Sequence, residues 1–170
     1  MELDRKRVGF VREMARKYLK KYGVKTAGTP VEKIIKAEGL RIELRPWGSD
    51  GLSGLMLQKA RVIAINVNKS HHHQRFSLAH EFGHWTLNHD YFKTLGFGLV
   101  DINHAPDATT HPNDKVIEQE ADEFAGELLV PMQILKQVYR SETNYANLGN
   151  IFDVSREVIL ISLMKHHLIR

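Results

Sequence analysis

A chain of 170 residues with 42% apolar side chains is long enough for one compact domain with a real core and too short for two full ones. The absence of cysteine excludes a disulfide framework and any thiolate metal site, so a bound metal would rest on His, Asp or Glu, and ten histidines are present. The net charge of +4 is uneven, with nine Lys/Arg against three Asp/Glu in residues 1–25, the pattern of a basic solvated helix face; no apolar run suits a signal peptide or a membrane span, so a soluble cytoplasmic protein is expected.

From Leu3 to Tyr22, the residues Val11, Met14, Ala15, Tyr18 and Leu19 recur at helical spacing, and Gly23 ends the pattern. Thr29-Pro30-Val31-Glu32 offers a cap, a proline suited to the first helical turn and a capping-box acid, which predicts a second helix to Gly39 with Ile34 and Ile35 buried. The period then changes. Leu40, Ile42 and Leu44 alternate with Arg41, Glu43 and Arg45, and strand-like runs follow at Leu52 to Leu57 and Arg61 to Val67. The short polar turn between the last two predicts a small, mostly antiparallel twisted sheet whose third member is the most apolar.

Residues 70–88 return to helix, 89–113 read as a long loop, and a further helix is expected from Asn113 or Asp114 to Val130-Pro131. Towards the C-terminus, Ala146, Leu148, Ile151 and Phe152, then D-V-S, then Val158, Ile159 and Leu163 suggest a helix-turn-helix-like pair with Ser155 as a cap. Its second helix offers only Arg156, Lys165 and His166/His167 to a nucleic acid, so packing or partner docking is expected there rather than DNA reading.

The chemistry-bearing segment is His80-Glu81-Phe82-Gly83-His84. Residues four apart on a helix share a face with Cβ atoms about 5–6 Å apart, so both imidazoles can converge on one ion. Glu81 follows His80 by about 100° and flanks that face. Two histidines, an open coordination position and an adjacent carboxylate suit zinc-dependent peptide hydrolysis: zinc lowers the pKa of its water toward ~7, and the carboxylate takes the proton. An interior glycine costs a helix about 1 kcal/mol relative to Ala, so Gly83 signals close packing against a neighbour. His71-His72-His73 reads as solvated residues at the helix entrance.

A third ligand must come from elsewhere. His89 falls one residue short of the register in which a metzincin places its third histidine. On the helix from 114, Ile117, Ala121, Phe124, Ala125 and Leu128 define the buried face, Glu118 flanks it, and Glu120, Glu123 and Glu127 cluster on the opposite flank as a solvated face would. Glu118 is the expected ligand, ahead of Glu120 and His89, and Asp122 the expected acceptor of a ligating imidazole's free N–H. The small residues Ala121, Ala125 and Gly126 would let this helix approach Gly83.

R-F-S-L-A-H-E-F-G-H, preceded by I-A-I-N-V-N and followed by I-E-Q-E-A-D-E-F-A-G-E-L-L-V-P, resembles the bacterial ImmA/IrrE metallopeptidases over roughly residues 30 to 170. The resemblance implies an α+β zincin-like fold and a gluzincin-like zinc site in which His80, His84 and Glu118 ligate and Glu81 is the general base. It further implies a cytoplasmic metalloendopeptidase that cleaves a helix-turn-helix repressor, relieving transcriptional repression under stress or in a mobile element, without the C-terminal sensor domain of longer members. The expected organisation is a metallopeptidase domain with a helical cover over 1–140 and helix-turn-helix-like helices over 141–170 packed on it. Two histidines and a carboxylate also suit manganese or iron. Substrate is expected to pair with an edge strand, Leu52 to Leu57, and Tyr91, His104 and His111 are candidates for a second oxyanion donor. The competing expectation is a non-enzymatic regulator that binds a repressor or DNA through its C-terminal helices, with zinc as a brace.

Overall fold

A computed structural model describes residues 4–48, 52–89 and 114–169. Its elements are α1 (Arg5–Lys21), α2 (Val31–Ala37), β1 (Arg41–Arg45), β2 (Gly54–Leu57), β3 (Val62–Asn66), α3 (His71–Thr86), α4 (Asp114–Leu129), α5 (Met132–Val138), α6 (Tyr145–Phe152) and α7 (Arg156–Lys165). The class is α+β, with one three-stranded sheet among the described residues. None of the described helices is long and apolar enough to cross a membrane.

The strand order is β1-β3-β2. The short turn after β2 makes the β2–β3 pair antiparallel, with Leu57 opposite Val62, whereas β1 lies parallel to β3, with Arg41 opposite Val62. The sheet is therefore mixed rather than mostly antiparallel. Alternation in β1 marks a half-buried strand but carries no information about direction. All five residues of β3 are buried, as befits a central strand covered on both faces, and among the described residues β2 is left as an edge.

Val11, Ala15 and Leu19 turn one side of α1 into the core, where Ile34, Ile35, Phe82, Phe124 and Leu128 join a single buried cluster. Leu148, Phe152, Ile159 and Leu163 of the C-terminal pair belong to the same cluster. Ser155 caps α7 by accepting from the Val158 N–H. Thr29 does not cap α2: Pro30 occupies the cap position, and the buried Thr29 hydroxyl donates to the Leu128 carbonyl at 2.8 Å.

The acidic flank of α4 corrects a second expectation. Glu120, Glu123 and Glu127 are 4%, 7% and 3% exposed, so they are not a solvated face. The basic side of α1 covers them. Arg7 donates to both carboxylate oxygens of Glu120 at 2.6 Å, Arg12 to Glu123 at 2.5 Å and Arg16 to Glu127 at 2.9 Å. Lys165 of α7 adds a second cation to Glu123 at 2.6 Å. The N-terminal charge excess is thus directed inward, because burying three carboxylates without partners would be prohibitive.

Candidate metal centre

β3 delivers the chain into α3, whose N-cap Ser70 accepts from the His73 N–H. Gly83 then permits the contact that joins the two motif helices. A Cβ there would fall 3.1 Å from Phe124 Cδ1 and 3.3 Å from the Ala121 backbone. Ala121 and Ala125 are fully buried in the described fold, while the Cβ position of Gly126 has nothing within 4 Å, so Gly126 does not serve the close approach expected of it.

Across this contact three side chains converge. His80 Nε2 and His84 Nε2 are 3.0 Å apart, Glu118 Oε2 lies 3.1 Å from the first and Glu118 Oε1 3.3 Å from the second. Among the described residues these three form the one group of His, Cys, Asp or Glu whose donor atoms all lie within 4.8 Å of one another, a geometry that could hold a metal ion. Two imidazole nitrogens and a carboxylate oxygen are also a suitable donor set for zinc. His84 is buried, whereas Glu118 and Asp122 keep the α4 side open to solvent. Asp122 Oδ1 lies 2.9 Å from His80 Nδ1.

Burial alone would hold the His80 imidazole down, but hydrogen bonds to Asp122 and Glu118 and the charge of Glu81 raise it to about 10. Without a metal, a proton sits among the three donors. Burial pushes the Glu81 carboxyl up, against the opposing pull of His84, His80 and a hydrogen bond from the Met56 backbone. That bond follows from the sheet register. The Asn66 N–H bonds the Ser53 carbonyl, so bonded pairs fall at Ser53, Leu55 and Leu57, and Met56 turns its N–H outward toward α3.

A second layer of contacts was not foreseen from the sequence. Past the end of α3, Asn88 adopts a left-handed conformation and returns His89 against the helix, its N–H bonded to the His84 carbonyl. His89 Nδ1 lies 3.0 Å from His84 Nδ1, and His89 Nε2 lies 3.0 Å from Glu120 Oε2. Burial lowers the His89 imidazole despite the Glu120 carboxylate. Burial would raise Glu120, but hydrogen bonds from Arg7 and His89 bring it below the usual carboxylate range. The sequence signal for this layer was the helical recurrence of Arg7, Arg12 and Arg16 on one element and of Glu120, Glu123 and Glu127 on another, of which only Arg12/Arg16 and Glu123/Glu127 share a spacing of four.

At the entrance of α3, His71 contacts Asp153 at 2.9 Å and His73 contacts the Ser53 hydroxyl at 2.7 Å. Tyr91, His104 and His111 lie outside the described residues.

A family model described as "Peptidase_M78: IrrE N-terminal-like domain" matches residues 35–164. The solved structure of a Mycobacterium tuberculosis transcriptional regulator matches with a TM-score of 0.63 at 15% identity, over 94% of this chain and 46% of that one. The chain therefore spans about half the length of that protein, and at this identity the likeness concerns the fold. No curated protein sequence matches the chain.

Proposed function

The chain belongs to the Peptidase_M78 family of IrrE N-terminal-like domains, and we propose that it is a zinc-dependent endopeptidase. His80, His84 and Glu118 are its metal ligands, Asp122 orients His80, and Glu81 is the general base. The observation that carries this is the convergence of three donors from two separate helices, with a half-buried carboxyl held beside them by a strand backbone.

Held by His80, His84 and Glu118, a zinc ion would supply Lewis acidity toward a scissile carbonyl and the attacking water. Glu81 takes the proton from that water and returns it to the leaving amine; its raised affinity for protons suits both transfers. The Met56 N–H fixes the carboxylate, and Asp122 holds the His80 ring with Nε2 toward the ligand cluster. β2, an edge strand beside Glu81, is the strand along which an extended substrate would pair. A site with three protein ligands leaves a position for substrate, whereas a structural brace is normally closed by four.

For the substrate we favour a helix-turn-helix transcriptional repressor in the cytoplasm, cleaved under stress or in a mobile element. The family supports a protein substrate, and the regulator-like fold neighbour is compatible with it. Residues 141–170 are read as a helical appendage to a peptidase unit over 1–140. Lys165 is engaged by Glu123, and Ile161 and Met164 are exposed on the same helix, which disfavours DNA contact by α7.

The test is incubation of the zinc-loaded protein, beside a Glu81→Gln variant of equal metal content, with purified helix-turn-helix repressors of its own organism. Cleavage by the wild type alone is expected. Equal cleavage by both would overturn the general-base role, and binding without cleavage by either would favour the regulator with a structural zinc.

A further inference from the structure

We propose that Arg7, Glu120 and His89 form a positioning relay that holds His84 in the tautomer able to ligate a metal, so that α1 helps to set metal affinity; this rests on the metal-site assignment above.

The direction of each hydrogen bond follows from the end of the chain. A guanidinium only donates, and Arg7 gives Nε–H and Nη2–H to the two oxygens of Glu120 at 2.6 Å. An ionised carboxylate only accepts, so at 3.0 Å Glu120 Oε2 must accept a hydrogen bond from an N–H at His89 Nε2. A singly protonated His89 then presents a lone pair at Nδ1. Its neighbour at 3.0 Å, His84 Nδ1, must therefore carry the proton. That leaves the His84 lone pair on Nε2, the atom 3.3 Å from Glu118 Oε1 within the ligand cluster.

Reversing any link would place the His84 proton on Nε2 and block coordination. The two ligating histidines are thus oriented by different means. His80 has an exposed carboxylate four residues along the helix from Glu118. His84 has a shielded path in which His89 is 8% and Glu120 4% exposed, where hydrogen bonds are stronger and an unpaired carboxylate would be costly. Arg7 meets that cost from an element that neither sequence motif includes.

Removal of an outer partner of a metal-binding histidine typically weakens metal binding by about 10–100-fold. Co(II) affinity, measured by chelator competition on the full chain, separates the relay from turnover. His89→Leu fills the space without donating or accepting and is expected to bind 10–100-fold more weakly, with an altered visible Co(II) spectrum. His89→Gln, whose amide accepts at oxygen and donates at nitrogen, is expected to recover most of that loss. Arg7→Met, altered at the solvent end of the relay, supplies a variant that folds should His89→Leu not, and is expected to bind several-fold more weakly. Nitrogen-15 NMR of the Zn-loaded protein should place the His84 proton on Nδ1 and that of His89 on Nε2. A His89 proton on Nδ1, or wild-type Co(II) affinity in His89→Leu and Arg7→Met, overturns the relay alone. A wild-type chain that does not bind Co(II) overturns the peptidase proposal, and the relay with it.

Discussion

Gly54 on β2 lies directly against Glu81 on α3: a Cβ added at Gly54 would fall 2.9 Å from Glu81 Cγ, 3.2 Å from its Oε1 and 3.1 Å from Ile65 Cδ1. Ile65 is fixed in the core, so the carboxylate is the group that must yield. Gly54→Ala is expected to displace Glu81, the proposed general base, while leaving His80, His84 and Glu118 as they are. Displacements of about 1 Å can cost ~100-fold in rate, so kcat should fall about 10–100-fold with unchanged Zn affinity. Full activity in this variant would mean that the carboxylate does not work from its position against β2.

Gly83→Ala tests the joint between the two motif helices. The added methyl gains up to about 1 kcal/mol of helix propensity, but it meets Ala121 backbone and Phe124 at 3.1–3.3 Å. Overpacking costs typically 1–3 kcal/mol, so a lowered Tm and weaker metal binding are expected together. An unchanged melting temperature with normal Zn affinity would show that the helices separate without consequence.

Metal and proton compete for the same donors. In the metal-free protein the His80 imidazole titrates at about 10, above its ordinary value of about 6.5. Protonated His80 therefore stabilises the fold fully below about pH 6.5, and that contribution is lost as the pH rises toward 10. Chelator-treated protein should melt at progressively lower temperature across that window, and Asp122→Asn should flatten the dependence. Zn affinity should rise with pH over the same range, because binding displaces the proton. Calorimetry in buffers of different ionisation heat would measure that release, and an absence of released protons at neutral pH would contradict it.

The ion pairs between α1 and α4 differ from surface pairs in what their loss leaves behind. Burial pushes the Glu127 carboxyl up, and Arg16 opposes that shift. Arg16→Met would leave a buried acceptor without its charged partner, a loss of about 1–3 kcal/mol, whereas Lys17→Met should stay within about 0.5 kcal/mol of wild type. Adding Glu127→Gln to Arg16→Met should restore part of the loss. Urea denaturation of the single and double variants gives the coupling directly, and strictly additive losses would place Glu127 in water.

Much of the three-donor cluster was legible because it is local. His80, Glu81 and His84 need only one helix, and the angle of Glu118 on α4 was available from its spacing to Ala121, Ala125 and Leu128. What opposes a helix face was not available. Glu120, Glu123 and Glu127 have the same pattern whether they meet water or arginines, and only the docking of α1, more than a hundred residues away, distinguishes the two. Thr29 was misread for a related reason: a hydroxyl before Pro-Val-Glu looks like a cap until a carbonyl from α4 claims it. The parallel β1 was invisible because alternation reports burial and not direction.

The division of the donor cluster between α3 and α4 bears on how such a chain is made. During synthesis the stretch containing His80, Glu81 and His84 leaves the ribosome well before Glu118 and Asp122. A nascent or prematurely terminated chain therefore carries His80, Glu81 and His84 but lacks Glu118, the third member of the donor cluster. The same helix α4 brings Glu120, so the completed cluster and the docked N-terminal helix arrive together. The three donors would thus come together only once most of the core exists.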